Sequence, residues 1–491
     1  MIQRVFDKTG IRWRPQTIII DRDGLWSRLG MDAHAEANGF AVEHFIDEMQ
    51  LRRAYEHRYR YQSEKRAILV PDAIGMHIPF DIAQRFHVIE LTFDLVFPNL
   101  HAETLRRLPG IDYSLLSFCV DAAAVQPLSA EQTEALCRQG MYSAVYAASY
   151  ANRLLDQAVT MAVEASTYRE WGTIAQMYGK AAMIHHGGMA LYHFAAVQQN
   201  IENQFKQWIG ARYNILSGSV DRRQPVLLSG IADYIRKQGG KIALIVMDGM
   251  SFENLFTIQR CMVDQRYSFD SSGVFSFFPT VTCVARQSIF SGKLPCEHEK
   301  PYSLINEEKQ WRAYWNAAGF REHEVDFFKT EMPEIKPDTR VAGIVLNIID
   351  DLMHAQLQGM SGMQKDIQTW MEKAPLQQLL DKLLGQGFQV YMTSDHGNTA
   401  AIAQGRFTKP GILAEPASRR AIIYQDYVDA QELEKFTVFQ YAGTYLPDGC
   451  KTYLFEPGTC YGDRGKEYVT HGGMAIEEAI VPFVRVGVVN G

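Results

Sequence analysis

The 491 residues hold no CxxC pair, and the 7 cysteines are scattered at Cys119, Cys137, Cys261, Cys283, Cys296, Cys450 and Cys460. This argues against a structural zinc knuckle, and the odd count fits reduced thiols in a cytoplasm. No stretch approaches the roughly eighteen consecutive apolar residues of a membrane-spanning helix, so no span is expected. The opening MIQRVFDKTGIRW is polar and lacks an apolar run with a cleavage site, so no leader is expected. Positive charge is not in excess: 49 Lys and Arg face 56 Asp and Glu, for a net charge of −7 and a pI of about 6.1. A large basic nucleic-acid surface is therefore not expected, although a local groove is compatible with these numbers. Low-complexity tracts and fixed-period repeats are also missing.

What is present is a globular composition, 47% hydrophobic and 21% charged, in a chain too long for one ordinary domain. Three textures follow one another. Residues 1–122 carry two short apolar runs, QTIII (Gln16–Ile20) and RAILV (Arg66–Val70), which read as buried parallel strands ending at Asp21 and at Pro71-Asp72. The segment between them reads as helical with one break at Gly39, giving a small α/β domain. Residues 123–222 are nearly free of strand signals and rich in alanine at helical spacing, and read as a helical spacer or bundle. Residues 223–491 alternate helices with the strongest strands, KIALIVMDG (Lys241–Gly249), AGIVLNIID (Ala342–Asp350) and GFQVYMTSD (Gly387–Asp395). This predicts a doubly wound, mostly parallel sheet. The Gly- and Pro-rich stretch at about 398–468 reads as a cap inserted over it.

Ligands of open α/β sheets gather outside the carboxyl ends of the strands. Three strands here end in metal-ligating residue types: Asp248-Gly249, the run Asp350-Asp351-Leu352-Met353-His354, and the tandem Asp395-His396. Asp350 and His354, four apart on a helix, share a face, with Asp351 a weaker competitor. His471, followed by Gly472-Gly473, returns to the same edge. Each feature has an ordinary reading too: an Asp-Gly turn, an acidic helix start. Two divalent ions on carboxylate and imidazole ligands suit phosphoryl or sulfuryl transfer, which calls for a nearby nucleophile. FFPTVTCVARQSIFSGKLP (Phe277–Pro295) offers Thr280 and Thr282, the latter at the N-terminus of a short helix where a phosphate is favoured. Thr282 also suits an ordinary N-cap. Arg286, one turn on, faces the same way and could neutralise phosphate charge.

The order Asp248, Thr282, Asp350-x-x-x-His354, Asp395-His396, His471 resembles the alkaline phosphatase superfamily. The resemblance implies that one ion takes Asp248, Thr282, Asp395 and His396, and the other Asp350, His354 and His471. FPTVT is similar to the phosphodiesterase branch, which makes the second threonine, Thr282, the nucleophile. The ending HGGMAIEEAIVPFVRV resembles the PglZ domain, and LVPDAIGMHIPFDIAQRF and LVFPNL are similar to the N-terminal part of PglZ proteins. That likeness implies a two-metal phosphodiesterase or phosphatase with zinc, or else manganese or magnesium, acting on a phosphate ester such as a nucleotide or nucleic acid. It also implies a role in BREX-type anti-phage defence beside a DNA methyltransferase and an ATPase. A scaffold that binds such partners through its helical region, with a structural metal site, is the rival expectation. A sulfatase is disfavoured because Cys283-Val284-Ala285-Arg286 lacks the intervening proline.

Several features are read as bland. Asp23 in TIIIDRDG has no tandem or threonine motif after it and reads as structural. The basic and aromatic run Arg52–Arg66 is interrupted by Glu56 and Glu64 and reads as a solvated helix face. Arg419 and Arg420 could touch a substrate anion. HGGMA occurs twice, after His185 and after Thr470; His186 is expected to be a helix-end coincidence and His471 a ligand.

Overall fold

The computed structural model describes residues 2–488 except 46, 72–75, 109, 123–125, 263–266, 408–417 and 426–427. The strand end expected at Asp72 and part of the expected cap lie outside the described residues. The chain forms two compact units: one holds 1–147, 263–270 and 487–491, the other 148–262 and 271–486. Among the described residues no helix is long and apolar enough to cross a membrane.

In the first unit β1 (Gln16–Asp21), β2 (Ala41–Phe45), β3 (Ala67–Pro71) and β4 (His87–Leu91) form a parallel sheet in the order β2-β3-β1-β4. The two apolar runs are β1 and β3, buried from Gln16 to Ile19 and from Ala67 to Val70. Ile18, Leu51, Leu69, Ile82 and Phe86 build the core on one face. β2 corrects the helical reading of residues 35–66. Among the described residues it pairs with β3 alone and buries only Phe45, so it carries almost none of the apolar signal that marks an inner strand. Asp23 is buried, accepting the Phe93 N–H and pairing with Arg106 at 2.9 Å. Arg52, Arg58 and Arg60 pair with Asp81, Glu43 and Glu56.

The second unit is built on β5 (Lys241–Met247), β6 (Tyr267–Phe275) from residue 271 on, β7 (Val325–Phe328), β8 (Val341–Leu346), β9 (Phe388–Thr393) and a final strand, Ile480–Val488, up to residue 486. The six-stranded order is β6, the final strand, β9, β5, β8, β7. β5 pairs in parallel with both β8 and β9, and β7 with β8, while the final strand runs antiparallel to β9. β5 and β8 are buried along almost their whole length, as near-continuous Ile, Leu, Val and Ala runs require. Helices α1 (Ala144–Glu164), α2 (Tyr168–His186) and α3 (Phe194–Arg212) precede the sheet. A capping box between Thr167 and Glu170 starts α2. α2 packs closely on α4 (Phe252–Cys261): a Cβ on Gly179 would lie 2.6 Å from that of Phe252. Residues 222 and 223 both lie in this unit.

Small strands fill the stretch where a cap was expected. β10 (Thr399–Ala403) lies between Thr459–Cys460 and Glu467–Thr470, and Lys451–Phe455 lies between Ala421–Tyr424 and Val438–Tyr441. Ile422, Tyr424, Phe436 and Phe455 give the second of these sheets its own apolar cluster.

Candidate metal centre

The central strands deliver their carboxyl ends to one place. Asp248 follows β5, and Asp350 lies in the first turn of α6 (Ile348–Ala355) after β8. Asp395 and His396 follow β9, and His471 follows the strand Glu467–Thr470. Thr282 is the first residue of the helix α5 (Thr282–Ser291). His354 Nε2 lies 3.1 Å from Asp350 Oδ1, the helical i, i+4 contact. Asp351 is exposed and belongs to neither ligand group formed among the described residues.

Two groups of ligand atoms form, each with all members within 4.8 Å of one another: Asp350, His354 and His471, and Asp248, Asp350 and His396. Asp350 belongs to both. The first group is the set expected for one ion. The second has Asp350 where Asp395 was expected. Asp395 stands beside it: Oδ1 accepts the Gly249 N–H at 3.2 Å and the His396 N–H at 3.0 Å, and Oδ2 is 3.9 Å from Arg286. Thr282 Oγ1 is 3.0 Å from His396 Nε2.

Backbone carbonyls set the histidine tautomers. A carbonyl can only accept, so the nitrogen facing it carries the proton. His396 Nδ1 faces the Gly397 carbonyl at 3.0 Å, and His471 Nδ1 faces the Thr280 carbonyl at 2.8 Å. Both Nε2 atoms then present lone pairs to the cluster, and the Thr282 hydroxyl is the donor toward His396. The two rings stack at 3.9 Å between centroids with 7° between planes. Burial, and then the neighbouring His396, hold the His471 pKa well below the usual imidazole range. Burial, and then the Asp395 carboxylate, push Asp248 well up. Burial alone would raise Asp350, but the hydrogen bond from His354 together with the neighbouring His471, His354 and His396 imidazoles outweighs it and the pKa is lowered.

These donors fit divalent cations. Asp248 Oδ1, Asp395 Oδ2 and His471 Nε2 are buried without a hydrogen-bond partner. Buried polar atoms of this kind are costly unless something binds them, and oxygen and imidazole donors of this mixture suit zinc or manganese.

Arg286 is 3% exposed and its guanidinium is taken up by carboxylates. Nη1 pairs with Asp248, and Nε donates to Glu307 Oε1 at 2.5 Å. Burial opposes its charge, but Asp248, Asp395 and Glu307 together raise its pKa, so it stays a cation. Glu307, 1% exposed, is also held by Lys329 at 2.6 Å.

Sequence reasoning passed over the residues that fix the loops. Ser394 Oγ accepts the Met250 N–H at 2.8 Å and lies 2.6 Å from the His396 carbonyl, tying the ends of β5 and β9. Gly397 is obligatory for space: a Cβ there would meet the Glu477 carbonyl oxygen at 1.8 Å. Glu307 lies 21 residues beyond Arg286 with no local signal, whereas Ser394 is inside the same TSDHGN stretch as the tandem. His186 joins neither group; its Nδ1 contacts Glu253 at 3.0 Å, and Glu253 also accepts from Gln364 at 2.7 Å. Arg420 is fully buried, while Arg419 stacks on Tyr468 at 4.3 Å.

Residues 227–486 match the family of the BREX system PglZ alkaline phosphatase-like domain. No curated protein matches the chain. Similar solved structures include murine ectonucleotide pyrophosphatase/phosphodiesterase 5, at 12% identity over 50% of this chain and 88% of that one, TM-score 0.37. Another is phosphonoacetate hydrolase from Sinorhizobium meliloti 1021 in complex with phosphonoformate, at 13% identity over 50% and 89%, TM-score 0.34.

Proposed function

The chain belongs to the PglZ family of BREX-system alkaline-phosphatase-like domains, and from that premise we propose that it is a metal-dependent phosphodiesterase with Thr282 as nucleophile. The carrying observation is the Thr282 hydroxyl, 3.0 Å from His396 Nε2 at a helix N-terminus, beside buried carboxylate and imidazole donors without partners.

In this reading Asp248, Asp395, His396 and Thr282 hold one divalent ion, and Asp350, His354 and His471 hold the other. Zinc is the favoured ion, with manganese or magnesium as alternatives. When bound, the ions supply positive charge for the phosphoryl oxygens and favour a deprotonated hydroxyl. Thr282 Oγ1 forms the bond to phosphorus and the leaving alkoxide departs on the opposite side. Water then cleaves the phosphothreonine and restores Thr282. The N-terminus of α5 favours the anionic phosphoryl group through its dipole. Arg286 acts on the substrate only through Asp248, whose carboxylate it orients. A diester is favoured over a monoester by the FPTVT motif, with a nucleotide or nucleic acid as the class. We further propose that the chain works in anti-phage defence with a DNA methyltransferase and an ATPase, in the cytoplasm.

The test is hydrolysis of bis-p-nitrophenyl phosphate with added zinc or manganese. Thr282→Ala and Asp395→Ala are expected to lose activity by about 10²-fold or more. Activity unchanged in both variants ends the proposal.

A further inference from the structure

We propose that Thr280, together with the Arg420–Glu478 pair, is a clamp that positions His471 as a metal ligand. The inference rests on the metal-site reading above. It assigns positioning roles to a threonine that the sequence offered as a nucleophile and to an arginine it offered as a substrate contact.

Thr280 is fully buried and grips the His471 segment at three points. Its carbonyl oxygen accepts from His471 Nδ1 at 2.8 Å. Its hydroxyl accepts the Gly472 N–H at 3.1 Å and donates to the Gly473 carbonyl at 2.9 Å. The first contact fixes the tautomer and ring plane. The other two fix the backbone that carries the ring, because Gly472 sits at φ +110°, a conformation that side chains rarely adopt. With its hydroxyl spent on these two peptide groups, Thr280 has no free proton to direct at a substrate.

The second jaw closes from the opposite end of the loop. Glu478 Oε1 accepts the Gly473 N–H and Oε2 accepts the Ala475 N–H, both at 3.0 Å. Arg420 Nη1 pairs with the same Oε2. Arg420 also donates from Nε to the Thr459 carbonyl at 3.2 Å. Both side chains are fully buried. The guanidinium fits directly over Gly473, where a Cβ would lie 2.7 Å from Arg420 Cζ. Histidine ligands are generally oriented by such outer hydrogen bonds, and losing one lowers metal affinity about 10–100-fold.

The unmet atom at the centre of this arrangement is His471 Nε2, buried and without a hydrogen-bond partner, 4.0 Å from Asp350 Oδ1. A clamp that orients a ring so that its only free nitrogen faces a carboxylate is what a cation site requires. A clamp serving only to hold the chain would leave the direction of that nitrogen immaterial.

The experiment measures zinc binding to the full chain by titration calorimetry, with stoichiometry checked by elemental analysis, in wild type, Thr280→Val, Thr280→Ser and Arg420→Lys. Nitrogen-15 spectra of the histidines follow the His471 tautomer, and circular dichroism follows the fold. Thr280→Val and Arg420→Lys are expected to weaken one of the two zinc events about 10–100-fold, with the other unchanged. Thr280→Ser, which keeps the hydroxyl, is expected to restore it. Thr280→Val keeps the main-chain carbonyl that faces His471 Nδ1, so the Nδ1-protonated form is expected to stay dominant while the weakened site reports the loss of the two hydroxyl contacts to Gly472 and Gly473. Wild-type affinity at both sites in Thr280→Val overturns the clamp, as does a wild-type chain that binds no cation. So does an equal weakening of both events, or of the Ser variant, since a general loss of structure moves all three. Should wild type bind zinc and the variants weaken one site while no phosphate ester is hydrolysed, the clamp stands and the phosphodiesterase reading fails.

Discussion

Arg286→Met is the most informative single change in the centre. Arg286 lies between Asp248 and Glu307, with the three side chains 4%, 6% and 1% exposed. Removing the guanidinium strands Asp248 as a buried carboxylate next to Asp395. Glu307 keeps Lys329 at 2.6 Å, so most of the cost falls on Asp248. Breaking a buried pair by removing one partner costs about 3–5 kcal/mol. The unit that holds it contains about 330 residues, which at ~2.1 cal/mol/K per residue gives an unfolding entropy near ~0.7 kcal/mol/K. The midpoint of thermal unfolding should therefore fall by about 4–7 °C, read by calorimetry in the presence of a chelator. Glu307→Gln should cost less, about 1–3 kcal/mol, because Arg286 still has Asp248. The double variant should fall short of the sum of the two by about 1 kcal/mol or more, since the residues share one network. Added zinc should narrow the gap between Arg286→Met and wild type, because it supplies Asp248 with positive charge. A midpoint shift under about 1 °C, combined with a raised KM for a phosphodiester, would refute the reasoning. Arg286 would then be a substrate contact.

Other consequences can be measured directly. Burial opposes charge on His186, but the Glu253 carboxylate, with Glu477 and Glu467 behind it, outweighs burial and the pKa is raised above 6.5. A group whose folded pKa exceeds its unfolded one stabilises fully below the unfolded value and loses that contribution as pH rises through the folded value. The stability difference between wild type and His186→Gln should thus be larger at pH 5.5 than at pH 9, by urea denaturation; a difference that grows with pH contradicts the pairing. Gly397→Ala, with its Cβ 1.8 Å from the Glu477 carbonyl oxygen, should cost about 3 kcal/mol or more and weaken zinc binding at His396. Normal stability and affinity would show that the loop yields freely. Zinc at about 100 times its Kd should stabilise wild type by about 2.7 kcal/mol over the chelated chain. No rise in the unfolding midpoint would count against cation binding at this centre.

How much was legible depended on the range of the interaction. Inner strands such as β5 and β8 are buried on both faces, so their apolar runs are visible in any short window. β2 is an edge strand with one buried residue, and its five letters pass for part of a helix. The i, i+4 spacing brought Asp350 to His354, since helix geometry alone sets that contact. The choice between Asp350 and Asp351 needed the packed helix to show which one is exposed. Ser394 could have been suspected from its place beside the tandem, whereas Glu307 carried no signal at all.

The sequence by itself determined the residue types and their order along one sheet edge, because strands, turns and helix faces are set by neighbours a few positions apart. Only the tertiary structure decided what those residues do to one another. It put Asp350 in both ligand groups, committed Arg286 to Asp248 and Glu307, and turned Thr280 and Arg420 toward the His471 loop. It also separated the two HGGMA segments, giving His186 to Glu253 and His471 to the Asp350 cluster. These contacts join positions tens to hundreds of residues apart, and burial makes each depend on what else fills the same space, which no local pattern encodes.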